Sequence, residues 1–170
     1  DNVKAYFKDG KRLNVKINYI EEDTPLGTIG SLGKIKYKNQ EPIIVVNGDA
    51  LTNLDFQQFL EFHKKNEAFA TIAVKEVKSS NPYGVVDVKG IKLNHFKEKP
   101  VKKMYINTGI YIFSKSSINI IKKDISIDAP NFLMELKKRK KNIVIFPIHE
   151  NWEDIGDKKK YIEIKKKLKS

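Results

Sequence analysis

Apolar positions along this chain recur at two spacings, and each spacing predicts a different element. Continuous or alternating apolar runs predict strands over 15–20, 43–46, 70–74, 85–88, 110–113 and 143–146. Between them the period lengthens to that of a helix. Over 53–63, Phe56, Phe59 and Leu60 fall on one face, with Asn53 placed to cap the start. Over 128–140, Phe132, Leu133 and Leu136 form the stripe, Asp128 stands at the cap and Pro130 lies in the first turn. A last helix is expected over 157–168, with Tyr161, Ile164 and Leu168 inward. Strands alternating with helices predict an α/β sheet covered on both faces. No repeat, linker or internal boundary interrupts the pattern, so residues 1–170 are read as a single domain.

Composition narrows the class. At 170 residues with 40% hydrophobic residues, one sizeable core is expected. No apolar run approaches the ~20 residues that span a bilayer, and DNVKAYFKDGKR has no signal-peptide character. Cysteine is absent, which removes disulfide frameworks and thiolate metal sites. A soluble, cytoplasmic protein without a membrane partner is the expectation. The net charge of +12 invites a nucleic-acid reading, but its chemistry argues against one. Only Arg12 and Arg139 are arginines, whereas base readout favours arginine forks, and the lysines are spread along the chain. The densest run, Lys165-Lys166-Lys167, closes the last helix, where cations favour the dipole.

Four stretches could carry chemistry. Asp49 follows the strand IIVV, and Gly48 before it permits a turn or the close approach of a ligand. Ligands of open α/β sheets bind beyond the strands' carboxyl ends, where a carboxylate can hold Mg²⁺. Asp49 reads equally well as a cap for the next helix. NWEDIG repeats the arrangement after IVIF, so Asp154 and Asp49 could share one metal; alternatively Asp154 is a turn residue and Trp152 a core aromatic. In FKEKP, Pro100 is expected to push Lys99 into extended geometry, with Glu98 and Lys99 pointing opposite ways to a hydroxyl and a phosphate. Taken alone, EKP is a common surface tripeptide. The small residues of TPLGTIGSLG could let a planar ring or phosphate approach backbone N–H groups, but no Gly-Lys-Ser/Thr follows, so this is no P-loop.

The order of these stretches adds what none supplies alone. EEDTPLGTIGSL, VVNGD, NPYGVV, FKEKP, INTGIYIF and WEDIG occur in succession from about Tyr19 to Tyr161. With them the chain resembles the sugar-1-phosphate nucleotidyltransferases. The resemblance implies a Rossmann-like three-layer α/β/α mixed sheet of the GT-A-like kind. It implies transfer of a nucleoside monophosphate from a nucleoside triphosphate to a sugar 1-phosphate, releasing pyrophosphate. GTP is favoured, because IFPIHENWEDIGDKKKY looks most like the mannose-1-phosphate guanylyltransferases. By the same resemblance Asp49 and Asp154 hold Mg²⁺, and Leu26, Gly27, Thr28 and Gly48 meet the nucleotide. Gly84, Glu98, Lys99 and Asn107 meet the sugar phosphate, and the three histidines need no role.

One departure is large. The family's glycine-rich loop ending in arginine has no counterpart before PLGT, where the sequence reads as a helix end, a turn at Gly10-Lys11-Arg12 and a strand. The expectation is therefore a domain N-terminally truncated by its first strand–loop–helix unit. Such a chain is expected to be inactive alone, and to form a homo-oligomer or hold a bound N-terminal fragment. The alternative is a non-catalytic regulatory subunit that keeps the sugar pocket.

Overall fold

The computed structural model describes residues 2–35 and 40–167. Helix α1 (Asn2–Phe7) leads into two short 3-10 turns. Then follow β1 (Ile43–Val46), β2 (Ala50–Thr52), α2 (Phe56–Lys65), β3 (Ala70–Ser80), β4 (Val85–Lys89), β5 (Lys92–Lys97) and β6 (Val101–Phe113). The chain continues through α3 (Lys115–Ile118), α4 (Ala129–Lys138), β7 (Ile143–Ile148), β8 (Trp152–Asp154) and α5 (Lys158–Lys167).

The main sheet has the order β1-β6-β3-β7. Among the described residues its only parallel pair is β3 with β7; β1 and β3 both run antiparallel to β6. It is thus the mixed sheet expected. Alternation along β6 divides the core between its faces. Tyr111 and Phe113 point to a cluster with Ile118, Phe132, Leu133 and Leu136 from α3 and α4. Ile110 and Ile112 point the other way, to Leu54, Phe59 and Ile148. Helices on opposite faces make the third layer. Two small ladders stand apart, β2 with β8 and β4 with β5.

Several expectations are corrected. Residues 15–20 form no strand; Tyr19 instead donates its hydroxyl to the Lys8 carbonyl. The cap of α2 is Asp55, not Asn53, because its Oδ1 reaches the N–H groups of both Gln57 and Gln58. Asp49 caps no helix, since β2 follows it. Residues 85–88 do not join the main sheet but pair with β5, whose alternation LNHF is too polar to announce a strand. Helix α5 buries no residue, leaving Tyr161 exposed and Ile164 half-buried, and Leu168 lies outside the described residues. No helix among the described residues is long and apolar enough to cross a membrane.

Candidate functional site

Strand β1 is held on its two faces by both core clusters, through Ile43 and Val45 on one and Ile44 on the other. It delivers Asn47, Gly48 and Asp49 to the sheet's end. Asn47 N–H donates to the Gly109 carbonyl at 2.9 Å, which ties this turn to β6. Beyond Asp49 the chain enters β2, where Ala50 pairs with Asp154 of β8, and Ile155 N–H donates to the Asp49 carbonyl at 2.9 Å. One ladder therefore positions both acids.

Gly156 shows how close they come. A Cβ built on it would lie 2.9 Å from Asp49 Oδ2 and 3.2 Å from Asp154 Oδ1. Its N–H donates to Asp154 Oδ1 at 2.9 Å, which orients that carboxylate. Asp49 and Asp154 thus face one space that any larger side chain would fill. They line a cavity of about 90 Å³ with Asn47, Ala50, Asn107, Thr108, Gly109 and Trp152. At roughly 30 Å³ per water, this has room for a cation and a few waters. The donor set is oxygen-rich and both carboxylates are exposed, which suits a hard divalent cation. No group of three or more His, Cys, Asp or Glu able to hold a metal occurs among the described residues, so waters and ligand oxygens would complete any coordination.

Asn107 reaches this cavity through a distortion in β6. The pairing of β3 with β6 skips between Ile72 and Val74. Across it, Asn107 Oδ1 accepts from Gly109 N–H, and its amide donates to the Tyr111 hydroxyl at 2.6 Å. Burial pushes the Tyr111 phenol above its ordinary value, against the opposing pull of Asn107, so it stays neutral. Gly109 has φ +73° and packs its Cα on the Asn47 side chain, a position only glycine suits.

The other expected residues lie elsewhere. Gly84 and Glu98 are neighbours: a Cβ on Gly84 would meet Phe96 and the Glu98 carboxylate at 2.6 and 2.9 Å. Neither they nor Lys99 line the Asp49–Asp154 cavity. Lys99 is not extended as expected. Its φ is +41°, because the chain must bend sharply out of β5, where Asn81 N–H takes the Pro100 carbonyl before β6 begins. Leu26 is buried, and Gly27, φ +73°, sits against the Ile127 carbonyl. Thr28 ties to the start of α4 twice: its N–H donates to Asp128 Oδ1, and its Oγ1 accepts from Ala129 N–H. The PLGT segment thus serves as the N-terminal cap of α4, a role the sequence reading gave to Asp128 alone. A Cβ on Gly48 would meet nothing, so packing does not demand glycine there.

Sequence reasoning missed Gly156, Asn47, Thr108 and Lys75. The Lys75 ammonium donates to the carbonyls of His149 and Glu150, fixing the turn that enters β8. Glycine two residues after an acid was the one available signal; the others depend on long-range pairing.

The family profile described as Nucleotidyl transferase matches residues 1–170. A mannose-1-phosphate guanyltransferase of Yarrowia lipolytica is 34% identical over 168 residues, covering 94% of this chain and 46% of that protein. One from Aspergillus oryzae is 35% identical over 169 residues, with the same coverage. The chain spans about half the length of the curated relatives it matches. Among solved structures, HddC from Yersinia pseudotuberculosis complexed with GMP-PN superposes with a TM-score of 0.69 at 26% identity. That match covers 99% of this chain and 74% of the other.

Proposed function

The chain belongs to the nucleotidyl transferase family, and from that premise we propose that its cavity carries nucleoside monophosphate transfer to a sugar 1-phosphate. GTP is the favoured donor. The guanyltransferase names of two relatives and the GMP-PN complex of a solved neighbour support that choice. The sugar phosphate's oxygen attacks the α-phosphorus, the bond from that phosphorus to the bridging oxygen breaks, and pyrophosphate leaves. The nucleophile is already an anion, so no general base is required, and no histidine lines the cavity.

One observation carries the reading: two carboxylates, Asp49 from the turn after β1 and Asp154 from β8, converge over Gly156, beside Asn107. Asp49 and Asp154 would hold Mg²⁺, which supplies charge neutralisation on phosphate oxygens. Asn107, fixed by Tyr111 and Gly109, presents an amide to a sugar hydroxyl, and Glu98 with Lys99 serve the sugar phosphate from the β5–β6 bend. Leu26, Gly27, Thr28 and Gly48 form the nucleotide side. A chain without cysteine, using a triphosphate donor, fits a cytoplasmic setting. The test is pyrophosphate release by the complete protein with mannose 1-phosphate and each of GTP, dTTP, CTP and UTP. Release with GTP well above the others is expected; release with none of them overturns the proposal.

A further inference from the structure

The distortion in β6 that presents Asn107 leaves several backbone groups without ladder partners. Three residues of β6, Thr108 to Ile110, stand opposite Ala73 alone. Most of their polar groups are answered locally. Thr108 Oγ1 donates to the Ala73 carbonyl at 2.7 Å, Gly109 N–H donates to Asn107, and the Gly109 carbonyl accepts from Asn47. The Thr108 carbonyl is answered from a different ladder, by the indole N–H of Trp152 at 2.9 Å. Trp152 is the only tryptophan in the chain and stands two residues before Asp154, on the same face of β8. Its ring packs against the core cluster beneath the cavity.

We infer that Trp152 is a positioning residue: its indole N–H holds the Thr108 carbonyl so that the 107–109 turn presents Asn107 beside the carboxylate pair. A bulge re-aims a side chain only while its unpaired groups stay satisfied. The carboxylate pair has its own supports, in the β2–β8 ladder, the Ile155 to Asp49 bond and the Gly156 to Asp154 bond. Loss of the indole N–H therefore acts on the Asn107 side and spares the cation side. The inference rests on the proposed function for its ligands, but not for its geometry.

Two replacements remove the N–H and keep the ring. One is Trp152→Phe; the other is biosynthetic replacement of the sole tryptophan by benzothienylalanine, which exchanges N–H for sulfur at nearly constant shape and covers the case where phenylalanine does not fold. Three quantities are measured on the protein: amide hydrogen exchange at Gly109, Mn²⁺ affinity by electron paramagnetic resonance, and mannose 1-phosphate affinity by calorimetry with Mn²⁺ present. The expected result is about tenfold faster exchange and about tenfold weaker mannose 1-phosphate binding, the size of one lost hydrogen bond. Mn²⁺ affinity stays within about twofold on the same scale. Parallel loss of both affinities, or faster exchange with unchanged sugar-phosphate affinity, overturns the positioning role. A wild-type protein that binds neither probe overturns the proposed function itself, a failure read before any variant is made.

Discussion

Gly156 is where the metal reading can be separated from a purely structural one. Its φ is not in the left-handed region, so alanine is tolerated by the backbone, but the added methyl would stand 2.9 Å from Asp49 Oδ2 and displace it. Gly156→Ala is therefore expected to weaken Mn²⁺ binding about tenfold or more while the thermal midpoint moves little. Asp49→Asn and Asp154→Asn should do the same, because both side chains are exposed and remove no core contact. In the complete protein each should leave less than about a tenth of the turnover, a loss above ~1.4 kcal/mol. Wild-type Mn²⁺ affinity in all three variants would remove the shared-cation site. Lys99 offers a second residue-scale test. A non-glycine residue at φ +41°, and before proline, is strained by roughly 1–2 kcal/mol. Lys99→Gly should stabilise the fold by about 1 kcal/mol and at the same time weaken sugar-phosphate binding. Calorimetry and chemical denaturation on one sample would check both. Gain in stability without loss of binding would make the bend structural only.

At the scale of elements, α2 meets the sheet through a buried titratable group. His63 sits in the last turn of α2 with Nδ1 2.7 Å from Thr71 Oγ1 on β3. Burial, aided by Lys64, lowers its pKa below the ordinary 6.5. The folded protein therefore keeps His63 neutral at a pH where the unfolded chain already binds a proton. Stability from this group is full above about 6.5 and declines as pH falls below it, until His63 protonates in place. Thermal midpoints between pH 7 and 5 should fall less steeply for His63→Gln, which can still bond Thr71 but does not titrate; identical slopes would remove the assignment. The elements themselves were legible in proportion to their burial. The helix over Ala129–Lys138 and the strands Ile43–Val46 and Ile143–Ile148 were readable because period and core coincide there. The β4–β5 ribbon was only half readable, since every residue in both strands is exposed and pairing alone defines it. Strand β8 was hidden because three residues carry no period; yet its acid was singled out, since an acid after an apolar run is visible without knowing its partner. What the sequence could not show was the convergence: Ala50 opposite Asp154 is a pairing across a hundred residues.

At the scale of the whole molecule, the described residues combine an incomplete charge balance at the site with an open sheet edge. Among the described residues, none of the eight that line the Asp49–Asp154 cavity is cationic, although a triphosphate brings several negative charges. Phosphoryl-type transfer depends almost wholly on positioning and charge neutralisation, and one missing contact commonly costs ~10²–10³ in rate. We therefore propose that further polypeptide supplies the cations, and expect residues 1–170 alone to release pyrophosphate far more slowly than the complete protein. The edges point to where that polypeptide would join. Among the described residues, β7 pairs on one side only and carries Pro147, which discourages strand addition. Strand β1 also pairs on one side only, but its residues IIVV include neither proline nor charge, the composition of an interior strand. A second copy or a retained fragment should pair there. The net charge of +12 opposes self-association at long range, and that repulsion is screened within about 10 Å at 0.1 M salt. Sedimentation velocity of residues 1–170 should accordingly show a fraction of dimer or larger species that grows with ionic strength, unless mass spectrometry finds a co-purifying peptide already bound. Hydrogen exchange would locate the contact, with protection rising over 43–46 as the associated fraction rises. A monodisperse, fragment-free 170-residue monomer at 0.5 M salt with rapid exchange throughout β1 would show that this edge needs no partner, and full turnover from the same sample would show that the cations come from within the chain.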